Sequence, residues 1–324
     1  MTENVIELTD LTKRYGSFTA VDHLNLIIRK GEIFGLLGPN GAGKTTTILM
    51  LLGLTDPTSG NVRVCGIDST SNPIEVKRRV GYLPENVGFY DDLTGLQNLV
   101  FTGSLNNLSG MEALERAEEL LEKVGMSENA DKKTIKYSRG MLQRLGLADV
   151  LIKNPEVIIL DEPTLGIDPS GVREFMDLIV TLSREHGITV LFCSHHLHQV
   201  QQVCDRVGIF VQGSLIAQGN IETLSANLFA GSPYIIELGI TNPLPRPHRQ
   251  SNAEWLNELL GNIEGIISVN LKNNRFMVEC TRDVASEIAR TVVESGAGLN
   301  FLNRKEYGLD DIYYRYFEGG ENHE

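Results

Sequence analysis

The feature that most constrains the fold of this chain is a glycine-rich segment, Gly-Pro-Asn-Gly-Ala-Gly-Lys-Thr, at residues 38–45. Residues 32–37 before it, which are mainly apolar, predict a buried strand, and residues 45–52 after it predict a helix that stops at Gly53. A strand, a glycine-rich turn and a helix in this order direct backbone N–H groups and a helix N-terminus at phosphate oxygens. Lys44 adds a positive charge at the β- and γ-phosphates, and the Thr45 hydroxyl can bind magnesium. The segment therefore predicts a site for a nucleoside triphosphate, with Mg-ATP as the expected ligand. The predicted phosphate-binding residues are Gly38, Pro39, Asn40, Gly41, Ala42, Gly43, Lys44, Thr45 and Thr46.

A pair of acidic residues, Asp161 and Glu162, follows the apolar run of residues 157–160. A carboxylate at the end of a buried strand can hold magnesium and its water ligands, and an adjacent one can polarise an attacking water. We therefore predict that Asp161 binds the metal and that Glu162 is the general base. Taken alone, the pair also fits a helix cap before Pro163. A phosphate-binding loop alone leaves kinases, GTPases, helicases and transport ATPases open.

Hydrophobic patterning predicts an α/β fold. Residues 5–8 and 24–28 alternate as antiparallel strands around a turn at residues 15–17, whereas residues 157–160 and 189–192 are continuous apolar runs flanking a helix. Such runs are typical of a parallel sheet that is covered on both faces. Residues 88–154 read as a helical insertion.

The composition changes after about residue 230, and the proline-rich run 243–247 cannot lie inside a helix or a central strand. Beyond it, the pattern β-α-β-β-α-β, with a turn at residues 273–274, predicts a small α+β domain of ferredoxin-like type over residues 231–324.

Charge and hydropathy exclude several classes of partner. The 324-residue chain has a formal net charge of −13, which disfavours binding to nucleic acid or to anionic lipid. No stretch approaches the roughly 18 consecutive apolar residues that a membrane-spanning helix needs. The first residues lack the pattern of a secretory signal, so we expect a cytoplasmic protein.

The segment Tyr137–Arg144, with the sequence Tyr-Ser-Arg-Gly-Met-Leu-Gln-Arg, lies before the acidic pair. In this position the chain resembles the ATP-binding cassette (ABC) ATPases, whose signature motif begins Leu-Ser-Gly-Gly. The resemblance implies that Ser138 and Gly140 contact the γ-phosphate of a nucleotide bound to a second subunit. A serine cap, a glycine and free helix N–H groups make a reasonable anion site. Arg139 departs from the family pattern, because it replaces a glycine that permits close backbone approach.

Further positions match the family in order. Tyr15 resembles the aromatic residue that stacks on adenine, although it also fits a hairpin tyrosine packed on the core. Glu85, at the end of Tyr-Leu-Pro-Glu, matches the Q-loop, in which many relatives carry a glutamine that binds the metal. Asp168, within residues 165–169, matches the D-loop, which touches the opposite subunit. His195 matches the switch histidine that senses the γ-phosphate.

The neighbours of His195 raise the question of a metal site. Cys193, His196 and His198 lie close in sequence, but a single loop rarely supplies a closed tetrahedral set. We therefore do not expect zinc here.

The resemblance implies an ABC nucleotide-binding domain over residues 1–230, with a helical subdomain at about residues 88–154. It implies a magnesium-dependent ATPase that energises a separately encoded transmembrane permease, as in ABC-2-type exporters, at the cytoplasmic membrane. The expected partners are that permease and a second copy of the chain or a paralogous ATPase. The expected catalytic residues are Lys44, Glu162 and His195, and the expected metal ligands are Thr45, Glu85 and Asp161.

Two narrower or alternative interpretations remain. Residues 81–90 and the signature segment are also similar to the copper-processing ATPases of nitrous oxide reductase maturation. A soluble ABC ATPase acting on ribosomes or DNA is the main alternative, but such proteins usually carry two cassettes or a long coiled coil. A GTPase is disfavoured by the lack of an Asn-Lys-x-Asp motif.

Overall fold

The computed structural model describes residues 3–230, 232–241, 252–272, 275–305 and 307–318. Its first compact unit ends at Leu224, and its second begins at Ser225. The proline-rich run 243–247 and the predicted turn at residues 273–274 lie outside the described residues. The predicted domain boundary after residue 230 stays a prediction.

Strands and helices are numbered in chain order. The strands are β1 (Asn4–Tyr15), β2 (Phe18–Arg29), β3 (Ile33–Leu37), β4 (Ser59–Val64), β5 (Ile67–Asp68), β6 (Val80–Leu83), β7 (Val157–Asp161), β8 (Thr189–Ser194), β9 (Arg206–Val211), β10 (Ser214–Gly219), β11 (Tyr234–Thr241), β12 (Ile266–Lys272), β13 (Arg275–Cys280) and β14 (Gly298–Arg304). The helices are α1 (Lys44–Leu51), α2 (Pro73–Arg79), α3 (Gly95–Leu105), α4 (Gly110–Lys123), α5 (Arg139–Leu151), α6 (Pro169–His186), α7 (Leu197–Val203), α8 (Ile221–Leu228), α9 (Asn252–Leu260), α10 (Ala285–Glu294) and α11 (Leu309–Glu318).

An antiparallel sheet with the strand order β2-β1-β4-β5 contains the N-terminal residues. β1 and β2 form the predicted hairpin, which closes with Tyr15 paired to Phe18. The inner residues of this sheet share one hydrophobic core with α1 and with apolar residues of β3, β7 and β8. The N-terminal layer is therefore packed onto the sheet that carries the glycine-rich loop.

The central sheet has the order β10-β9-β3-β8-β7-β6, and its strands are parallel apart from β10, which pairs antiparallel with β9. Every residue of β3, β7 and β8 is buried, which explains why these strands are continuously apolar instead of alternating. The carboxyl ends of β3, β6, β7 and β8 therefore meet at one edge. This arrangement confirms the predicted α/β fold.

Helices α3, α4 and α5 form the predicted helical insertion. Two of them begin with complete capping boxes, in which Thr94 pairs with Gln97 and Ser109 pairs with Glu112. After the last residues of α4, Gly125 takes the left-handed conformation with a φ of 69°. That conformation is common just beyond a helix end and favours glycine, because glycine has no Cβ.

The second unit has the element order β11-α9-β12-β13-α10-β14, followed by α11. Its antiparallel sheet has the order β12-β13-β11-β14. Ile236, Leu238 and Val278 of the sheet pack with Leu256 of α9 and Ile288 of α10 in a separate core. The predicted ferredoxin-like order of elements is therefore confirmed.

Among all the residues described, we find no helix that is both long enough and apolar enough to cross a membrane.

Candidate nucleotide-binding site

Four strands of the central sheet deliver the predicted site residues to one edge. The glycine-rich loop follows β3, Glu85 follows β6, Asp161 ends β7 and His195 follows β8. Ligands of open α/β sheets bind at the carboxyl ends of the strands, which is where these residues lie. A cleft of about 230 Å³ opens there, and its lining includes residues 39–46, Glu85, Asp161 and Glu162.

Glycine is required in the loop at two positions for steric reasons. A Cβ atom on Gly38 would lie 2.3 Å from the carbonyl oxygen of Phe210, and one on Gly43 would lie 2.3 Å from the carbonyl oxygen of Ala20. Gly43 also has a φ of 106°, a conformation that L-residues rarely adopt. The loop is thus pressed between β2 and β9, and its path depends on the absence of side chains.

Lys44 is the first residue of α1, and its side chain is buried. The ammonium Nζ donates hydrogen bonds to the carbonyl oxygens of Gly38 at 2.6 Å and Pro39 at 3.2 Å. It also lies 3.9 Å from Oε1 of Glu162. The ammonium is therefore held inside the curve of the loop as a fixed positive charge facing the acidic pair.

Thr45 and Asp161 form the candidate magnesium site. The Thr45 hydroxyl donates a hydrogen bond to Oδ2 of Asp161 at 3.3 Å, so two hard oxygen ligands stand side by side. Burial and the negative charge of Glu162 raise the pKa of Asp161 above its usual range. A carboxylate whose charge is incompletely compensated is a suitable ligand for a divalent cation, and the donor set fits magnesium.

Glu85 lines the cleft, and Tyr82 lies three residues before it, near Asp161. The backbone oxygen of Glu85 accepts a hydrogen bond at 3.2 Å from Nε2 of Gln143 in α5. Sequence reasoning gave no role to Tyr82. Burial, followed by the charge of the nearby Asp161 carboxylate, raises the pKa of Tyr82 to about 12.

Glu162 has a constrained backbone. Its φ is 48°, which is unusual for a residue with a side chain, and its N–H donates to the carbonyl oxygen of Cys193 at 2.9 Å. The carboxylate is buried, with Oε2 accepting from the Ser194 hydroxyl at 3.2 Å and Oε1 lying 2.8 Å from Nδ1 of His195. Backbone strain of this kind concentrates at functional sites, where surrounding contacts maintain it.

A group of possible metal ligands exists in this part of the site, although not the one that the sequence suggested. One ligand atom each from Glu162, His195 and His196 lie within 4.8 Å of one another. Neither Cys193 nor His198 belongs to any such group among the described residues. Burial and the neighbouring His195 lower the pKa of His196, which favours the neutral form of that ring.

The predicted adenine-stacking residue, Tyr15, lies at the hairpin tip. Its side chain is 51% exposed, and the ammonium of Lys13 lies 5.0 Å from the ring centroid. Phe18, its partner across the hairpin, lines the cleft together with Ala20, and sequence reasoning missed both. The pairing of Tyr15 with an aromatic residue three positions later was the signal that could have identified Phe18.

The residues assigned to a neighbouring subunit lie outside this cleft. Ser138 caps α5, with its hydroxyl accepting from the N–H of Met141 at 3.3 Å. Asp168 caps α6, with Oδ2 accepting from the N–H of Gly171 at 3.2 Å. Neither these two residues nor Gly140 lines the cleft. Within one chain, the cleft is therefore lined by residues at the ends of the central strands, by the glycine-rich loop and by Phe18 and Ala20 of β2.

Comparisons with known proteins agree with this geometry. The profile of the family described as ABC transporter matches residues 21–165. A bacitracin transport ATP-binding protein of Enterococcus faecalis is 34% identical over 318 residues, covering 98% of each protein. The linearmycin resistance ATP-binding protein LnrL of Bacillus subtilis is 39% identical over 237 residues, covering 73% of this chain and 75% of that protein.

Solved structures show the same likeness. A dimeric ATP-binding cassette in a post-hydrolysis state, bound to ADP and Pi, superposes with a TM-score of 0.61 at 26% identity, covering 66% of this chain and 98% of that one. The CbiO1 protein of Clostridium perfringens, part of an ABC transporter complex, gives a TM-score of 0.63 at 27% identity, covering 81% of this chain and 96% of that one. The likeness to copper-processing ATPases stays a prediction. By sequence over nearly its whole length, the chain belongs to the family of ABC transporter ATP-binding proteins.

Proposed function

We propose that this chain binds Mg-ATP in the cleft at the end of β3 and hydrolyses it to drive an exporter whose membrane-spanning permease is a separate chain. The observation that carries the proposal is the convergence of Lys44, Thr45, Asp161, Glu162 and His195 at one sheet edge. Relatives named for bacitracin transport and linearmycin resistance support the direction of transport.

Each side chain has a chemical role in this proposal. Loop N–H groups and Lys44 hold the β- and γ-phosphates, while Thr45 and Asp161 hold magnesium, with Glu85 beside them. The metal supplies charge neutralisation at the phosphates when it is bound. Glu162 takes a proton from the attacking water, and His195 orients that carboxylate and donates to the γ-phosphate. Tyr15 and Phe18 offer aromatic faces for adenine.

The backbone geometry separates Asp161, the proposed magnesium ligand, from Glu162, the proposed general base. Asp161 ends a regular buried strand, whereas Glu162 turns away with its positive φ and is held by Ser194 and His195. Two adjacent carboxylates thus face different partners, which suits one to the metal and the other to a water molecule.

We propose further that two copies, or this chain and a paralogous ATPase, enclose two nucleotides between them. Each site would pair one subunit's Lys44 with Ser138 and Gly140 of the other, with Asp168 near the opposite subunit. The position of Ser138 at the N-terminus of α5, outside its own cleft, supports this assignment. Dimeric solved cassettes of the same fold support it as well.

The permease would contact the surface beside the Q-loop. Tyr90 and Phe101 form an edge-on aromatic pair there, with 59% and 40% of their surfaces exposed, and Leu105 is 68% exposed. Exposed apolar side chains of this kind are typical of protein contacts. Asn98 joins this surface to the backbone after the Q-loop, because its side chain bonds both the N–H and the carbonyl of Tyr90.

The Glu162→Gln variant tests the catalytic assignment. Loss of a general base typically slows a reaction by about 10²- to 10⁴-fold, so we expect ATP hydrolysis to fall by that factor while ATP binding is retained. The variant should also accumulate as an ATP-bound dimer in size-exclusion chromatography. Glu156→Gln, a matched change of an exposed carboxylate paired with Arg79, should hydrolyse ATP normally. Near-normal turnover by Glu162→Gln would reject the assignment.

Purification from native membranes separates the proposal from the ribosomal or DNA alternative. We expect a tagged chain to recover a polytopic membrane protein that stimulates its ATPase activity. Recovery with ribosomes or DNA, and no membrane protein, would favour the alternative.

A further inference from the structure

Arg139, at the position where the family pattern has glycine, lies directly on the D-loop of its own subunit. A Cβ atom on Gly166 would be 2.6 Å from Cδ of Arg139 and 3.0 Å from its Nε. The arginine stem therefore occupies the space that a side chain at position 166 would need. With a φ of 77°, Gly166 also holds a backbone conformation that favours glycine.

Two more contacts join the same elements. A Cβ on Gly140 would be in van der Waals contact with Cγ2 of Ile167, at 3.4 Å. One and a half turns into α5, Nη2 of Arg144 lies 2.5 Å from Oε2 of Glu174 in α6, the helix that begins at the end of the D-loop. The start of α5 is thus attached to the D-loop and to the helix that follows it.

Backbone hydrogen bonds connect the D-loop to Glu162. The N–H of Leu165 donates to the carbonyl oxygen of Glu162 at 3.2 Å, and the N–H of Ile167 donates to that of Thr164 at 3.2 Å. A further bond of 2.6 Å joins the Thr164 hydroxyl to Oε1 of Gln199 in α7. Displacement of Gly166 would therefore be transmitted within four residues to the strained backbone of Glu162.

We propose that Arg139 is a positioning residue that couples the two nucleotide sites of the dimer. Ser138 and Gly140, on either side of it, would contact the nucleotide held by the partner, whereas Glu162 acts on the nucleotide of its own subunit. Packing of Arg139 on Gly166 makes the signature segment and the D-loop move together. Binding in one site thereby sets the catalytic carboxylate of the other. This inference rests on the dimer of the proposed function.

The contact is made by the stem, through Cδ and Nε, so it requires length more than charge. Methionine places its sulfur where arginine has Cδ, and it should keep the packing on Gly166. Alanine should lose it. If Arg139 instead bound the partner's nucleotide as a cation, methionine and alanine would be equally harmful and lysine would be tolerated.

Mixed dimers decide between these roles. One full-length subunit carries Glu162→Gln and a second tag, so hydrolysis reports only the site of the intact Glu162. We expect Arg139→Ala in the subunit with intact Glu162 to lower kcat about tenfold, within the range for coupling residues, with KM for ATP changed less than about twofold. The same change in the Glu162→Gln subunit, whose signature segment faces the active site, should alter kcat less than about twofold.

Three controls make the outcome clear. Arg139→Met in the active subunit should keep kcat within about twofold to threefold of the parent dimer, well short of the alanine loss. Arg290→Ala, an exposed arginine on α10, should change nothing, and all variants must show the parent's thermal transition. The inference would be overturned if kcat fell only when Arg139→Ala was in the Glu162→Gln subunit. It would also be overturned if methionine and alanine lowered kcat equally, or if Arg139→Ala in the active subunit left kcat unchanged. Absence of hydrolysis in the parent mixed dimer would instead reject the proposed function.

Discussion

Replacement of Asp161 by asparagine should stabilise the ligand-free protein while removing its response to magnesium. Asparagine has the shape of aspartate and keeps an oxygen that can accept the Thr45 hydrogen bond. It removes one negative charge from a pair of carboxyl groups, Asp161 and Glu162, that are both only 7% exposed. Lys44, the lysine beside this pair, donates to two loop carbonyls and lies 3.9 Å from Glu162, so it compensates the pair incompletely.

The size of the gain follows from this burial. Relief of a charge at a functional site commonly adds about 0.5–2 kcal/mol of stability. For a unit of roughly 220 residues, each kcal/mol corresponds to about 2–4 °C in the melting temperature. We therefore expect Asp161→Asn to raise the melting temperature of the nucleotide-binding unit by about 1–8 °C at neutral pH. Calorimetry should show this in the transition that ATP shifts in the wild type.

The difference in stability between wild type and Asp161→Asn should depend on pH. Burial and the charge of Glu162 raise the pKa of Asp161 above the ordinary value of 3.8, so the native state holds this proton at a pH where the unfolded chain has lost it. Wild-type stability therefore falls as pH rises through the interval between the two pKa values. The advantage of Asp161→Asn should be full above that interval and should narrow as pH falls towards 3.8.

Magnesium and ATP should reverse the order of stability. A ligand at 100 times its Kd stabilises the native state by about 2.7 kcal/mol, which wild type should gain and Asp161→Asn should largely lose. A ligand-free Asp161→Asn protein that melts below wild type at neutral pH would refute this account of the acidic pair. A difference in melting temperature that stayed the same across the pH range would refute it as well.

Three further changes probe separate parts of the first unit. Gly43→Ala should abolish ATP binding in titration calorimetry. The new Cβ would lie 2.3 Å from a β2 carbonyl oxygen, and residue 43 has a φ of 106°, which alanine rarely adopts. An ATP affinity within tenfold of wild type would contradict this prediction. Asn98→Leu should leave basal ATPase activity unchanged but reduce its stimulation by the permease several-fold, because it frees the backbone of Tyr90; intact stimulation would argue against this docking surface. Arg206→Met should lower the free energy of unfolding, measured by chemical denaturation, by about 1–3 kcal/mol, because the carboxylate of Glu32, 3.0 Å away, loses its cation. ATP affinity should stay normal. An unchanged denaturation midpoint would show that this ion pair does not stabilise the protein.

Much of the fold could be predicted because its strands carry strong local signals. The apolar runs before the glycine-rich loop and before Asp161 predict strands, because a parallel sheet that is covered on both faces has no face that must be polar. The ferredoxin-like order of the second unit was visible from alternation and turns. β4, β5, β6, β9 and β10 were not identified, because β4, β6 and β9 pair with strands that are distant in sequence and β5 and β10 join the sheets through β4 and β9. Arg206, for example, lies opposite Phe34 of β3, which no local pattern reveals.

The candidate site was predictable where one segment carries its own chemistry. Residues 38–46 needed only their local order, whereas strand pairing brings Phe18 to the cleft and Tyr82 to β7, which ends at Asp161. The same limit explains the histidine loop. The sequence placed Cys193, His195, His196 and His198 together, whereas the structure groups His195 and His196 with Glu162, which comes from the end of another strand.

The arrangement of charges explains why such a cleft should act only in a pair. Asp161 and Glu162 are buried beside a lysine that is occupied with the loop, and Glu162 holds a strained backbone. A triphosphate would bring more negative charge to this edge, which favours cations and N–H donors from outside the cleft. Magnesium can supply the first, and the free N–H groups at the start of a second subunit's α5 can supply the others. Arg139 packs on Gly166 of its own D-loop, so in such a pair it would join the segment that faces the partner's nucleotide to the loop that leads to Glu162.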